Sequence, residues 1–184
     1  MSRGAGLLAV LLEHRWYRRL AALILGTLAV AALPPFYVIP VLWLSLAGFL
    51  LLNWTAISWR QAVAEGWLFG LGWFSGGFYW IGHAFLVDAE RYAALMPVAV
   101  IGMGAGMALY TALGAGLFHA VKRRFAHLDI GAVAVFAGIW TLLEWVRGWF
   151  LTGFPWNPLA SVWGSLPEMM QSVALFGGLG LSFL

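Results

Sequence analysis

Cysteine is absent from this 184-residue chain, lysine occurs once, at Lys122, and charged side chains make up only 9% of it. The first absence excludes disulfides, thiolate metal sites and a cysteine nucleophile. The shortage of charge excludes an ordinary water-facing surface, since average soluble domains carry about 25% charged residues. There is no internal repeat, which argues against the repeat-built architecture of secondary transporters. What fills the chain is apolar: 63% hydrophobic residues and a mean hydropathy of +0.90. Its 12 Trp and 23 Gly suit interfacial aromatic belts and close helix packing in lipid.

A net charge of +3 and a pI near 9.7 do not mark a nucleic-acid binder. The charges sit in short segments between long apolar runs, the pattern of loops joining membrane helices. The expected fold is all-α: a polytopic membrane helical bundle of about five complete spans plus a truncated sixth. The spans fall near 16–33, 36–57, 66–86, 93–121, 130–150 and 169–184, and an aromatic, Gly/Pro-rich extracytoplasmic loop separates the last two. The first apolar run, Leu20 to Leu33, reaches roughly 21 Å as helix, short of a hydrocarbon core of about 30 Å. Beginning that helix at Trp16, with Arg18 and Arg19 snorkelling outward, lengthens it. Pro34 and Pro35 end it. A cleavable signal peptide is a competing reading of the basic start, the short apolar core and Ala29-Val30-Ala31.

Orientation follows from the basic residues. With a cytoplasmic N-terminus, that side holds Arg3, Arg15, Arg18, Arg19, Arg60, Lys122, Arg123 and Arg124, and the other side only Arg91 and Arg147. The 34–37, 87–92 and 148–168 loops are then extracytoplasmic.

Few residues are candidates for chemistry. Glu144 and Arg147 stand three apart near a helix end and can pair, either orienting the end of the fifth span or holding a lipid headgroup. The stretch after them carries Trp149, Phe150, Phe154 and Trp156 among two prolines and two glycines, which forbids a continuous helix and favours a surface-hugging loop at a lipid–water boundary. Glu144, Arg147, Trp149, Phe154, Trp156 and Asn157 are therefore the candidate lipid- or substrate-binding residues. His83 and His119 read as interfacial hydrogen-bonding residues. Gly66/Gly70, Gly72/Gly76 and Gly102/Gly106 are small-xxx-small pairs that let helices approach closely, or leave room for an acyl chain beside the third and fourth spans. The pattern suggests no metal site and no cofactor.

The block Glu144-Trp145-Val146-Arg147-Gly148-Trp149 followed by Leu151-Thr152-Gly153-Phe154-Pro155-Trp156-Asn157-Pro158 resembles the signature stretch of bacterial apolipoprotein N-acyltransferases. Leu33-Pro34-Pro35-Phe36, Gly66 to Trp80 and Gln171 to Leu184 are similar to that family as well, so the resemblance runs the length of the chain. It implies an inner-membrane enzyme of about eight spans with a periplasmic nitrilase-like domain. Such enzymes move an acyl chain from a phospholipid to the α-amino group of the N-terminal diacylglyceryl-cysteine of apolipoproteins, using a Glu-Lys-Cys set and a thioester acyl-enzyme. None of those three residues can be assigned here. The last apolar run stops at Leu184 without an interfacial flank, so the expectation is a truncated chain, inactive alone. The competing readings are a non-catalytic membrane partner of a separate soluble domain and a small membrane transporter.

Overall fold

The computed structural model describes residues 14–150 and 156–184, and among these every regular element is helical. α1 (Arg15–Ala29) runs into a 3-10 turn, Val30–Ala32. α2 (Ile39–Thr55) carries Pro40 in its first turn, where a missing N–H costs nothing. α3 (Trp59–Gly77) begins at a reciprocal cap: Ser58 Oγ accepts from Gln61 N at 3.3 Å, and Gln61 Oε1 accepts from Ile57 N at 3.2 Å. A 3-10 stretch, Tyr79–Leu86, and the single turn α4 (Ala89–Tyr92) lead to α5 (Met96–Val121). α6 (Ile130–Phe150) starts where Asp129 Oδ1 accepts from Ala132 N at 2.9 Å, an acidic N-cap. A 3-10 segment, Leu159–Ser165, then α7 (Pro167–Gln171) and α8 (Val173–Phe183) complete the described chain.

α3 is the central helix, with α1 along one flank and α5 along the other. Its glycines make this possible. A Cβ at Gly66 would lie 2.7 Å from Thr111 O and 3.0 Å from Ala112 Cα on α5, and one at Gly72 would lie 2.6 Å from Leu23 O on α1. Gly102 and Gly106, by contrast, have nothing within 4 Å, so that pair is not a packing seam among the described residues. The core between α2, α3 and α6 is aromatic: Phe49 stacks on Phe69 at 4.1 Å, and Phe136 meets Phe49 edge-on at 5.8 Å. The outward faces are apolar too, with Leu20, Ile24, Val98, Ile101 and Leu109 exposed.

The structure departs from the sequence expectation in three respects, two of them in helix bounds. α3 lies further towards the N-terminus than 66–86, because the Ser58/Gln61 cap starts it early and the chain turns at Gly77 into a 3-10 helix. The run 169–184 is not one helix; it breaks at Ser172, and Gly177, at φ +68°, kinks α8. Two helical stretches, Ala89–Arg124 and Ile130–Phe150, are long and apolar enough to cross a membrane; Ile39–Thr55 and Val173–Phe183 are apolar but shorter.

The third departure concerns charge. Arg18 does not snorkel outward. It is 2% exposed and forms a two-bond ion pair with Glu65, 0% exposed, at 2.6 and 2.9 Å. Its remaining donors reach Thr55 Oγ1 at 2.9 Å and Leu52 O at 2.6 Å. Lys122 Nζ donates to the carbonyls of Asn53, Trp54 and Ala56 at 2.9, 2.7 and 2.7 Å, covering the acceptors left open at the C-terminus of α2. His119 is likewise buried, and its Nδ1 has no hydrogen-bond partner among the described residues.

Candidate functional site

Opposite that charged end, α6 carries Glu144 and Arg147 one turn apart near its C-terminus, 8% and 4% exposed. Both project inward because the flanking Leu143 is also buried while Trp145 and Trp149 face out. Glu144 Oε1 accepts two hydrogen bonds and faces one cation. Leu159 N reaches it at 2.7 Å, Trp140 Nε1 at 3.2 Å, and Arg147 Nη2 stands 3.6 Å away. The carboxylate thus caps the 3-10 segment that follows the aromatic loop, holding residue 159 against the helix it left fifteen positions earlier. Arg147 also reaches Asn157 O at 3.5 Å, a marginal bond, and its guanidinium lies 5.1 Å from the centroid of the Phe74 ring.

Asn157 ties the same loop to α3. Its backbone adopts φ +43°, a left-handed conformation that Asn tolerates better than most residues. Its Nδ2 donates to Gly77 O at 2.8 Å, satisfying a carbonyl at the end of α3. A Cβ at Gly77 would sit 2.5 Å from that Nδ2, so the glycine is what admits the amide. Trp156 packs edge-on against Phe78 at 5.8 Å. Ser182 Oγ accepts from Ala160 N at 3.0 Å, fastening α8 to the same segment.

Of the six residues singled out in the sequence, four therefore converge: Glu144, Arg147, Trp156 and Asn157. Trp149 does not join them. It is 77% exposed and, among the described residues, its ring stands beside that of Trp145 at 6.1 Å. Phe154 lies outside the described residues. His83 is exposed and stands edge-on to Tyr79. Sequence reasoning passed over Glu65. The available signal was a carboxylate followed at once by a long apolar run, which needs a basic partner on another helix.

The second oxygen of Glu144, Oε2, is buried without a hydrogen-bond partner among the described residues. Glu144 also lines a small cavity of about 20 Å³ with Phe49, Tyr110, Thr111 and Trp140. Nearby, an apolar groove of about 500 Å³ runs along Met103, Gly106 and Tyr110 of α5 to Phe150 and Trp156. The open space beside Gly106 is part of this groove. A third hollow, about 280 Å³ and more polar, lies between Leu33, Tyr79, Trp80 and Asn157. The arrangement is a braced segment with an apolar groove on one side and a more polar hollow on the other, and no nucleophile–base pair stands there among the described residues.

The family model describing the apolipoprotein N-acyltransferase N-terminal domain matches residues 25–184. The chain belongs to that family. It is 43% identical over 177 residues to an apolipoprotein N-acyltransferase of Caulobacter vibrioides, a match covering 94% of this chain and 32% of the relative. It is 39% identical to the apolipoprotein N-acyltransferases of Rhizobium etli and of Rhodopseudomonas palustris, over 95% of this chain in both cases and 34% and 33% of those proteins. The chain therefore spans about one third of the length of the curated N-acyltransferases it matches. The braced loop lies within the stretch shared with the family.

Proposed function

We propose that this chain is the membrane module of a phospholipid:apolipoprotein N-acyltransferase, lodged in the bacterial inner membrane with its N-terminus cytoplasmic. The module supplies about five spans and the start of a sixth. The chemistry, transfer of an acyl chain to the N-terminal diacylglyceryl-cysteine of a lipoprotein, belongs to a nitrilase-like domain that these 184 residues do not include. The observation that carries the reading is the Glu144–Leu159 cap, together with the family match: one oxygen of a buried carboxylate braces the segment that borders the apolar groove along α5. The apolar exterior of the bundle and the basic end formed by Arg15, Arg19, Arg60 and Arg123 support the membrane orientation.

In this reading Glu144, Arg147 and Asn157 position the loop, and Trp149, Phe154 and Trp156 meet lipid. The groove along Gly106 and Trp156 accepts a donor acyl chain, and no cofactor takes part. The test is reconstitution with phospholipid and a diacylglyceryl-cysteine peptide. The chain alone should give no N-acylated product, and its fusion to the remaining two thirds of the Caulobacter vibrioides relative should restore product. Turnover by the chain alone, or a fusion that inserts but stays inactive, would overturn the reading.

A further inference from the structure

At the basic end of the bundle, on the face opposite the aromatic core, α1, α3 and α5 leave an open groove of about 710 Å³. Its long axis is apolar. Leu23 of α1 and Leu109 of α5 form the walls, and Ala64 and Trp67 of α3 the floor. The Trp67 indole N–H is already satisfied by Ala105 O at 3.1 Å, so the ring offers the groove an apolar surface. The mouth is different, for Arg19 and Arg60 stand there between Trp16 and Trp59. The Arg19 guanidinium lies 5.1 Å from the Trp16 ring centroid and that of Arg15 lies 5.4 Å from it, so cations collect around one indole.

The charge at this mouth is uncompensated. Arg18 turns inward to Glu65 and Lys122 turns inward to the end of α2, whereas neither Arg19 nor Arg60 forms an ion pair among the described residues. Two cations held at one mouth repel each other, and an anion placed between them removes that cost. Basic pockets between membrane helices on the cytoplasmic side are a recurrent way to hold anionic headgroups. An apolar channel leading away from a cationic mouth flanked by tryptophans matches the shape of one lipid: phosphate, interfacial region, acyl chain.

We propose that this groove binds one anionic diacyl glycerophospholipid of the cytoplasmic leaflet. Its phosphate is held between Arg19 and Arg60, and one acyl chain lies over Ala64 and Trp67. The site is separate from the braced loop at the other end of the bundle. It rests on the membrane reading given above, though not on the enzymatic one.

Native mass spectrometry of the full chain, released from vesicles of equal phosphatidylglycerol and phosphatidylethanolamine, tests it. The chain should retain phosphatidylglycerol. The double variant Arg19→Gln/Arg60→Gln should retain it about thirtyfold less well, since each basic residue near an anionic surface is worth about fivefold. Arg123→Gln/Arg124→Gln removes the same charge from the same end but away from the groove, and should change retention little. Equal losses in both double variants would show diffuse attraction and overturn the site. Ala64→Phe, or Leu109→Trp if the former does not fold, obstructs the groove with both arginines in place and should also abolish retention. Retention that survives a blocked groove would mean that the arginines hold a phosphate group without an acyl chain, which overturns the lipid assignment. Labelling of an Ala126→Cys variant from outside the cell, with phosphatidylglycerol still retained, would overturn the cytoplasmic leaflet alone. A chain that does not enter vesicles would overturn the membrane reading itself.

Discussion

Arg18 and Glu65, forty-seven residues apart, meet through two hydrogen bonds of 2.6 and 2.9 Å where α1 crosses α3. Gln61 Nε2 adds a third bond to Glu65 Oε1 at 2.9 Å, and the arginine also reaches Thr55 Oγ1 and Leu52 O. The arginine thus bonds to α2 and α3, and the carboxylate to α1 and to Gln61 of its own helix. The pair sets the register of the three N-terminal helices.

Removing one partner leaves the other buried and uncompensated. Glu65→Ala or Arg18→Ala should destabilise the bundle by about 3–5 kcal/mol. Thermal unfolding in detergent, followed by size-exclusion chromatography, reads this out. The double variant Arg18→Leu/Glu65→Leu should lose less than the sum of the single changes. Additive losses would mean that the two side chains do not act as a pair.

The glycine pairs separate by what stands opposite them. Gly66→Val must push α5 away, since a Cβ there already meets Thr111 O at 2.7 Å, and should cost about 1–3 kcal/mol. Gly102→Ala meets nothing within 4 Å and should be neutral, or stabilising by up to about 1 kcal/mol, through the better helix former. The same melting assay ranks them, and a reversed order would contradict the packing of α3 on α5.

Lys122 supplies three donors to the end of α2, and a methionine in its place supplies none. Lys122→Met should cost about 1–3 kcal/mol by leaving those carbonyls unpaired. Hydrogen exchange should quicken at the last turn of α2 and stay unchanged in α6. Uniform acceleration would point to global loosening instead.

At the other end, Asn157→Gly keeps the left-handed backbone and removes only the amide that holds Gly77 O. Limited proteolysis should then cut within 151–165 several times faster, with melting lowered by about 1 kcal/mol. Glu144→Ala removes the acceptor for Leu159 N and should loosen the same segment further. Trp149→Ala, on an exposed ring, should leave melting within about 0.5 kcal/mol of the parent. If Trp149→Ala destabilised as much as Glu144→Ala, the division between bracing and outward-facing residues would fail.

Asp88→Cys and Ala126→Cys exploit the absence of native cysteine to test orientation. A membrane-impermeant maleimide applied to intact cells should label the first variant only. Label at position 126 would reverse the proposed topology.

Composition and hydropathy, read alone, determined the helical class, the apolar character and the basic end. Each of these depends on residue type summed along the chain, which folding does not alter. The block 144–158 determined the family, because it is specific in order and spacing. Which helices would reach their expected lengths was not legible. The Ser58/Gln61 cap moved α3 towards the N-terminus, Gly177 broke the last run, and both effects depend on local backbone geometry that hydropathy averages away. The partners of the charged residues were also hidden. Arg18, Arg19 and Arg60 look alike in sequence. Only the crossing of α1 over α3 decided that Arg18 meets Glu65 while the other two face a groove, because helical phase and interhelical contact select which of neighbouring side chains is buried.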